Sequence, residues 1–192
     1  MEKIVFNNVV PHVFAHRNDM KSEIWKTEAT FEKGKLYLVE AASGMGKSTF
    51  CSYLIGYRHD YTGNIFFDSA VSAKYREKDW TEVRRSHVSH LFQELRLFPE
   101  LTAWENVEIK NKLTGFADAE KIDSWFERLG IADKKQALIG EMSFGQQQRV
   151  ALMRALVQPY DFILLDEPIS HLDDENARIM GEIVLEEAGR QN

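Results

Sequence analysis

The run "VEAASGMGKSTF", residues 39–50, places Gly44, Gly46, Lys47, Ser48 and Thr49 in the order of a phosphate-binding loop. Each residue type has a chemical reason to be there. Gly44 and Gly46 let backbone N–H groups turn inward and approach phosphate closely, and Ser43 and Met45 carry the loop between them. Lys47 supplies a point charge for β- and γ-phosphates. Ser48 offers a hydroxyl to Mg²⁺, with Thr49 beside it. The full pattern GxxxxGK[ST] has glycine where this chain has Ala41. A left-handed backbone there would cost alanine roughly 1–2 kcal/mol, whereas an extended one would cost almost nothing. The dinucleotide pattern GxGxxG fails, because Thr49 stands at its third glycine.

A second cluster closes the run "DFILLDEP", where Asp166 and Glu167 follow four apolar residues. Neighbours on a strand point to opposite faces, so the two acids can take different work. Asp166 suits Mg²⁺, and Glu167 suits orienting or deprotonating an attacking water. Two acids before a proline also end many ordinary strands. What raises this pair above that is Lys47, at the end of another apolar strand in the same α/β pattern, since such ends converge on a ligand crevice.

Those clusters need elements to hold them. Strand-like runs are "KIVFNNVV", "KLYLVEA", "GNIFFD", "HVSHLF" and "DFILLDE". The second and the last read as buried strands of a parallel sheet. Helices are expected at 46–57, 103–112, 118–129, 144–158 and 173–188. Ile122, Phe126 and Leu129 recur at helical spacing in the third, as do Val150, Leu152, Met153, Leu156 and Val157 in the fourth. Strand alternating with helix gives an α/β fold, a single domain with its core in 1–94 and 142–192 and a helical subdomain over 95–141. The 192 residues suffice for a core without staples. A net charge of −6 argues against a nucleic-acid backbone as the main partner. One cysteine, Cys51, excludes an internal disulfide and fits a reducing compartment. It reads as a small buried helix residue rather than a reactive thiol. No apolar run is long enough to span a membrane, so a cytoplasmic chain is expected, reaching a membrane only through a partner.

Between the two clusters lies "EMSFGQQQRVALMRALVQPYDFILLDEPISHLDD", which resembles the ABC-type ATPases. Met142, Ser143, Phe144, Gly145 and Gln146 stand where that family has its LSGGQ signature. "FILLDE" is similar to its Walker B segment, and Ser170–Asp173 to its D-loop. "HLFQELRLFPELTAWENV" resembles its Q-loop, with Gln93. The resemblance runs from about Ile4 to the end and implies a P-loop NTPase core with a mixed sheet. It further implies that Lys47, Ser48 and Thr49 bind ATP phosphate and metal, and that Gln93 and Asp166 support Mg²⁺. Glu167 is then the general base. Ser143, Gly145 and Gln146 would face the γ-phosphate held by a second subunit, so the family implies a dimer with ATP sandwiched at its interface. A helix beginning near Phe144 would bring the same anion preference as the loop helix. Phe14 is the candidate for stacking on adenine, with His12 second.

Three departures bear on these expectations. Met142 for leucine conserves volume. Phe144 replaces the first signature glycine and bears on how closely two subunits approach. After the D-loop the family has a further strand, between the loop strand and the Walker B strand, and a switch histidine. None of the six histidines occupies that position. A shortened chain is therefore expected, with unpaired backbone in the sheet and ATP binding better supported than hydrolysis.

The wording of the Q-loop region is similar to lipoprotein-release and macrolide-export ATPases. The first function expected is thus the ATPase subunit of an ABC transporter with a separate permease, Leu97, Phe98 and Leu101 lining a groove for it. DNA-repair members carry a long coiled coil, for which the 49 residues from Gln93 to Met142 leave no room. Ribosomal members usually fuse two ATPase domains. A regulatory ATP-binding module with little hydrolysis is the remaining alternative.

Overall fold

The computed structural model describes residues 1–17 and 21–191, which form two compact units, Met1–Arg84 and Arg85–Asn192. In the first, β1 (Lys3–Pro11) pairs antiparallel with β2 (Glu28–Glu32) on one side and β3 (Tyr61–Phe67) on the other. β4 (Ala70–Val71) pairs with β3, giving the order β2-β1-β3-β4. Alternation along β1 buries Ile4 and Phe6, and a register shift between Asn7 and Val10 then brings Val9 to the buried side. Helix α1 (Lys47–Leu54) presents Phe50, Tyr53 and Leu54 as its buried side. Phe50 lies 5.1 Å from the Phe6 ring and 5.2 Å from Phe31, and Trp25 meets Tyr53 edge-on at 6.1 Å. This aromatic cluster fixes α1, and through it the start of the helix at Lys47. A short helix, α2 (Glu77–Glu82), closes the unit, with Trp80 packed edge-on against Phe67.

In the second unit β5 (Val88–Leu91) and β6 (Phe162–Leu165) pair in parallel, Leu91 opposite Leu165. Around them stand α3 (Ala103–Asn111), α4 (Ala119–Arg128), α5 (Phe144–Leu156) and α6 (Asp174–Gln191). Each of α3, α4 and α5 starts on a capping side chain, Thr102, Asp118 and Ser143 respectively. Residues 95–141 are helical or irregular apart from one isolated bridge between Thr102 and Leu138. Their apolar side chains, Trp125 and Phe126 among them, share one core with Leu91, Val150, Leu152 and Ile183. The compact division therefore falls at 84/85 and not around 95–141, because that segment packs its apolar faces on α5 and α6.

One expected strand is missing. "KLYLVEA" carries no strand structure. Leu36 and Leu38 are 88% and 84% exposed, and among the described residues 36–40 make no backbone hydrogen bond. The run has the apolar residues of a buried strand, but a strand exists only where a neighbour supplies a ladder.

Candidate functional site

The first unit carries the loop. Gly44 and Gly46 have φ of 74° and 99°, left-handed turns that aim successive amides inward ahead of α1. Ala41 is absent from the left-handed residues, so alanine costs nothing there. Its carbonyl instead accepts a 2.7 Å hydrogen bond from Lys47 Nζ, tying the start of the loop to the helix. Gly46 is doubly constrained: a Cβ would meet Phe14 Cε2 at 3.0 Å and Trp25 Nε1 at 3.2 Å. Trp25 Nε1 donates to the Met45 carbonyl at 3.4 Å, so the indole braces the loop from behind. Ser43 and Ser48 are exposed, and Thr49 Oγ1 accepts from Arg58 at 3.2 Å. Arg58 is in turn held by Asp60, whose carboxyl that hydrogen bond lowers. The loop opens on a cleft lined by Trp25, Phe31, Tyr37, Val39 and Lys47.

Phe14 is not the adenine platform expected from sequence. It is 4% exposed, its ring 6.5 Å from Trp25, with the Arg17 guanidinium 5.5 Å from its centroid. Packing against Gly46 has taken its surface. His12 is exposed beside it.

The second unit carries the acids. The ladder continues past β6 through Asp166 N–H to the Leu91 carbonyl at 3.1 Å, holding Asp166 at the strand end with its side chain buried. Glu167 is exposed and adopts φ 53°, a left-handed conformation costing a side-chain residue roughly 1–2 kcal/mol. Gln93 Nε2 donates to Glu167 Oε2 at 3.2 Å, joining the ends of two neighbouring strands. Asp166 is thus buried and Glu167 exposed.

Gln148, buried on α5, donates to the Pro168 carbonyl at 3.2 Å and reaches the Glu167 carbonyl at 3.5 Å. The sequence reading passed it over as one glutamine in a run of three. Its place five residues after the Ser143 cap was the available signal. His90, on β5, was likewise missed. Both ring nitrogens are buried without a hydrogen-bond partner, and a ring nitrogen lies within 4.8 Å of an Asp166 carboxylate oxygen. Burial pushes the imidazole down to about 4, with Arg96 adding to the effect.

Ser143 caps α5, accepting from Gln146 N–H at 3.3 Å, while Gln146 Oε1 accepts from Ser143 N–H at 2.9 Å. At Gly145 a Cβ would stand 3.2 Å from Leu172 Cδ2 and 3.4 Å from the His171 carbonyl. The small residue admits the loop 170–173. Phe144 is 44% exposed and meets His171 edge-on at 4.6 Å. Arg149 donates to the Gly145 carbonyl at 3.0 Å and to Asn176 Oδ1 at 3.1 Å, and Asn176 in turn holds Asp173. Burial pushes the guanidinium down, partly offset by Asp173.

The donors fit nucleotide phosphate and a divalent ion. The loop amides and Lys47 suit an anion, and Asp166 with the orphaned His90 nitrogens suits a cation.

The fold that carries the loop, the strand-end Asp–Glu pair and the capped helix matches solved ATP-binding cassettes. The dimeric ATP-binding cassette MJ0796 in a post-hydrolysis state with ADP and Pi aligns at TM-score 0.77 and 26% identity, over 96% of this chain and 82% of that one. The ABC transporter family profile matches residues 25–170, and the chain belongs to that family. Among its relatives, the ABC transporter ATP-binding protein YtrE of Bacillus subtilis (strain 168) is 34% identical over 155 residues, 79% of this chain and 67% of YtrE. The macrolide export ATP-binding/permease protein MacB of Rhodopseudomonas palustris (strain BisB18) is 36% identical over 163 residues. That match takes in 81% of this chain but only 25% of MacB. No helix among the described residues is long and apolar enough to cross a membrane.

Proposed function

We propose that this chain binds and hydrolyses ATP to power an ABC transporter whose permease is a separate polypeptide. The observation that carries the reading is the Gln93–Glu167 hydrogen bond of 3.2 Å at the ends of paired strands, with Asp166 buried beside Glu167. The amides of 43–49 and the Lys47 ammonium would bind the phosphates, and Ser48, Gln93 and Asp166 are the residues that would hold Mg²⁺. Mg²⁺ held there would supply positive charge to offset the negative charge of the phosphates. Glu167 accepts a proton from the attacking water, and Gln93 orients the carboxylate that does so. Ser143, Gly145 and Gln146 serve a second cassette, as a homodimer or with a related ATPase. MJ0796 is dimeric and MacB carries its permease in one chain, which supports both kinds of partner. A cytoplasmic place on the membrane surface follows from such a partner.

The test is phosphate release alongside binding of a fluorescent ATP analogue. Glu167→Gln should keep binding and lower turnover by about 10²-fold or more. Unchanged turnover removes Glu167 from the mechanism. Co-purification with ribosomes or DNA in place of a membrane permease defeats the transport reading. A second reading, an ATP-binding module of low turnover, is favoured by residues 36–40, whose open backbone leaves the loop held from the helix side. Wild-type binding without phosphate release would select it.

A further inference from the structure

Asp166 has a neighbour that an oxygen-only ion site would not need. His90 projects from β5, paired to Leu164 two residues before Asp166, and the period of two puts His90, Phe92, Leu164 and Asp166 on one face of the strand pair. Neither His90 nitrogen has a partner, although both are buried. Buried polar atoms are nearly always satisfied, so an orphaned pair marks a ligand or a strained core. The imidazole packs against Phe92 at 4.0 Å between centroids, which orients the ring. From there a ring nitrogen and an Asp166 oxygen lie within 4.8 Å of each other. One ion about 2.0–2.2 Å from each donor closes that span with a small side-chain rotation.

We propose that His90 supplies a nitrogen ligand beside Asp166, making the ion position of this chain a mixed nitrogen–oxygen site that prefers a first-row transition-metal dication to Mg²⁺. Imidazole suits iron, nickel, copper and zinc, and Mn²⁺ accepts it more readily than Mg²⁺, which takes oxygen donors and holds its waters. The proposal rests on the reading that Asp166 faces the nucleotide's ion, and it adds the class of that ion.

Mn²⁺ is the probe, bound to the full chain with a non-hydrolysable ATP analogue. Pulsed electron paramagnetic resonance should show nitrogen modulation from a ligated imidazole. His90→Phe should abolish that modulation and weaken Mn²⁺ about tenfold or more, with Mg²⁺ affinity little changed. His90→Gln, which keeps a polar side chain, is the second variant, and thermal melts check that both fold. Asp166→Asn should weaken both ions. Mn²⁺ bound without nitrogen modulation, or His90 variants that keep the preference, would overturn the proposal. So would nitrogen-coupled Mn²⁺ that survives in Asp166→Asn. Analogue binding in the same samples reports separately on the nucleotide reading: its loss defeats that reading, and its survival without the nitrogen signal defeats only the ligand.

Discussion

Replacing Gly46 by alanine separates two costs that usually arrive together. The backbone cost comes from φ 99°, where a side-chain residue is disfavoured by roughly 1–2 kcal/mol. The steric cost comes from a Cβ 3.0 Å from Phe14 Cε2 and 3.2 Å from Trp25 Nε1. Neither ring has room to retreat, since Phe14 and Trp25 are 4% and 5% exposed, so overpacking adds about 1–3 kcal/mol. Gly46→Ala should therefore cost about 2–5 kcal/mol. Gly44 is the internal control, at φ 74° with nothing within 4 Å of its Cβ, so Gly44→Ala should cost only the backbone share of about 1–2 kcal/mol. Urea unfolding followed by tryptophan fluorescence measures both. Phe14→Leu should recover part of the Gly46→Ala loss, because it removes the ring that the new methyl meets, while leaving Gly44→Ala unaffected. If the two glycine variants agree within about 0.5 kcal/mol, the bracing of the loop by Phe14 and Trp25 is wrong.

Other expectations concern the scaffold around the site. Burial pushes the Tyr53 hydroxyl up to about 12 from 10.0. The native state thus holds that proton longer than the unfolded chain, so stability present below pH 10 is lost as pH rises toward 12. Ultraviolet titration and melts should show this slope shrink in Tyr53→Phe, which also gives up the bond to the Asp60 carbonyl. Glu187 is 1% exposed, with Lys121 and Arg190 each at 2.5 Å. Lys121→Met should cost about 3 kcal/mol in urea, and the pairing with Glu187→Leu should recover most of it. A double-mutant cycle on Phe144 and His171, both to alanine, should show coupling of about 0.5–1 kcal/mol, and additivity would dissolve the ring pair at 4.6 Å.

What was legible in the sequence was mostly local. Helices α3, α4 and α5 follow from periodicity and from caps within three residues of their starts. The Asp166–Glu167 pair was legible as two acids closing an apolar strand, but the left-handed turn at Glu167 was not. The missing pieces are contacts across tens of residues. β2 was overlooked, since "EATFE" shows little apolar alternation and is strand because Lys3–Asn7 pairs with it. Phe14 looked like an available aromatic because its neighbours in space, Trp25 and Gly46, are remote in sequence. His90 looked like one more strand residue, and only the pairing of β5 with β6 puts it beside an acid.

Residues 35–42 carry the same lesson in the opposite direction. Leu36, Leu38 and Val39 have the composition of a buried strand, and the sequence that follows them is the phosphate loop. Composition states what a segment can bury, whereas hydrogen-bond pairing decides whether it is a strand. Here the loop keeps its turns without a ladder leading into it. The reason lies downstream: Gly46 is wedged by Phe14 and Trp25, Lys47 reaches back to Ala41, and α1 is seated by Phe50 and Tyr53 in the aromatic cluster. The loop's geometry is therefore imposed by the helix it opens. Substitutions at Leu36 or Leu38 to serine should accordingly leave the affinity for an ATP analogue within about twofold, because those side chains are exposed and brace nothing in the loop. A large loss of affinity would mean that the run is paired when nucleotide binds, and would move control of the loop from α1 to the segment before it.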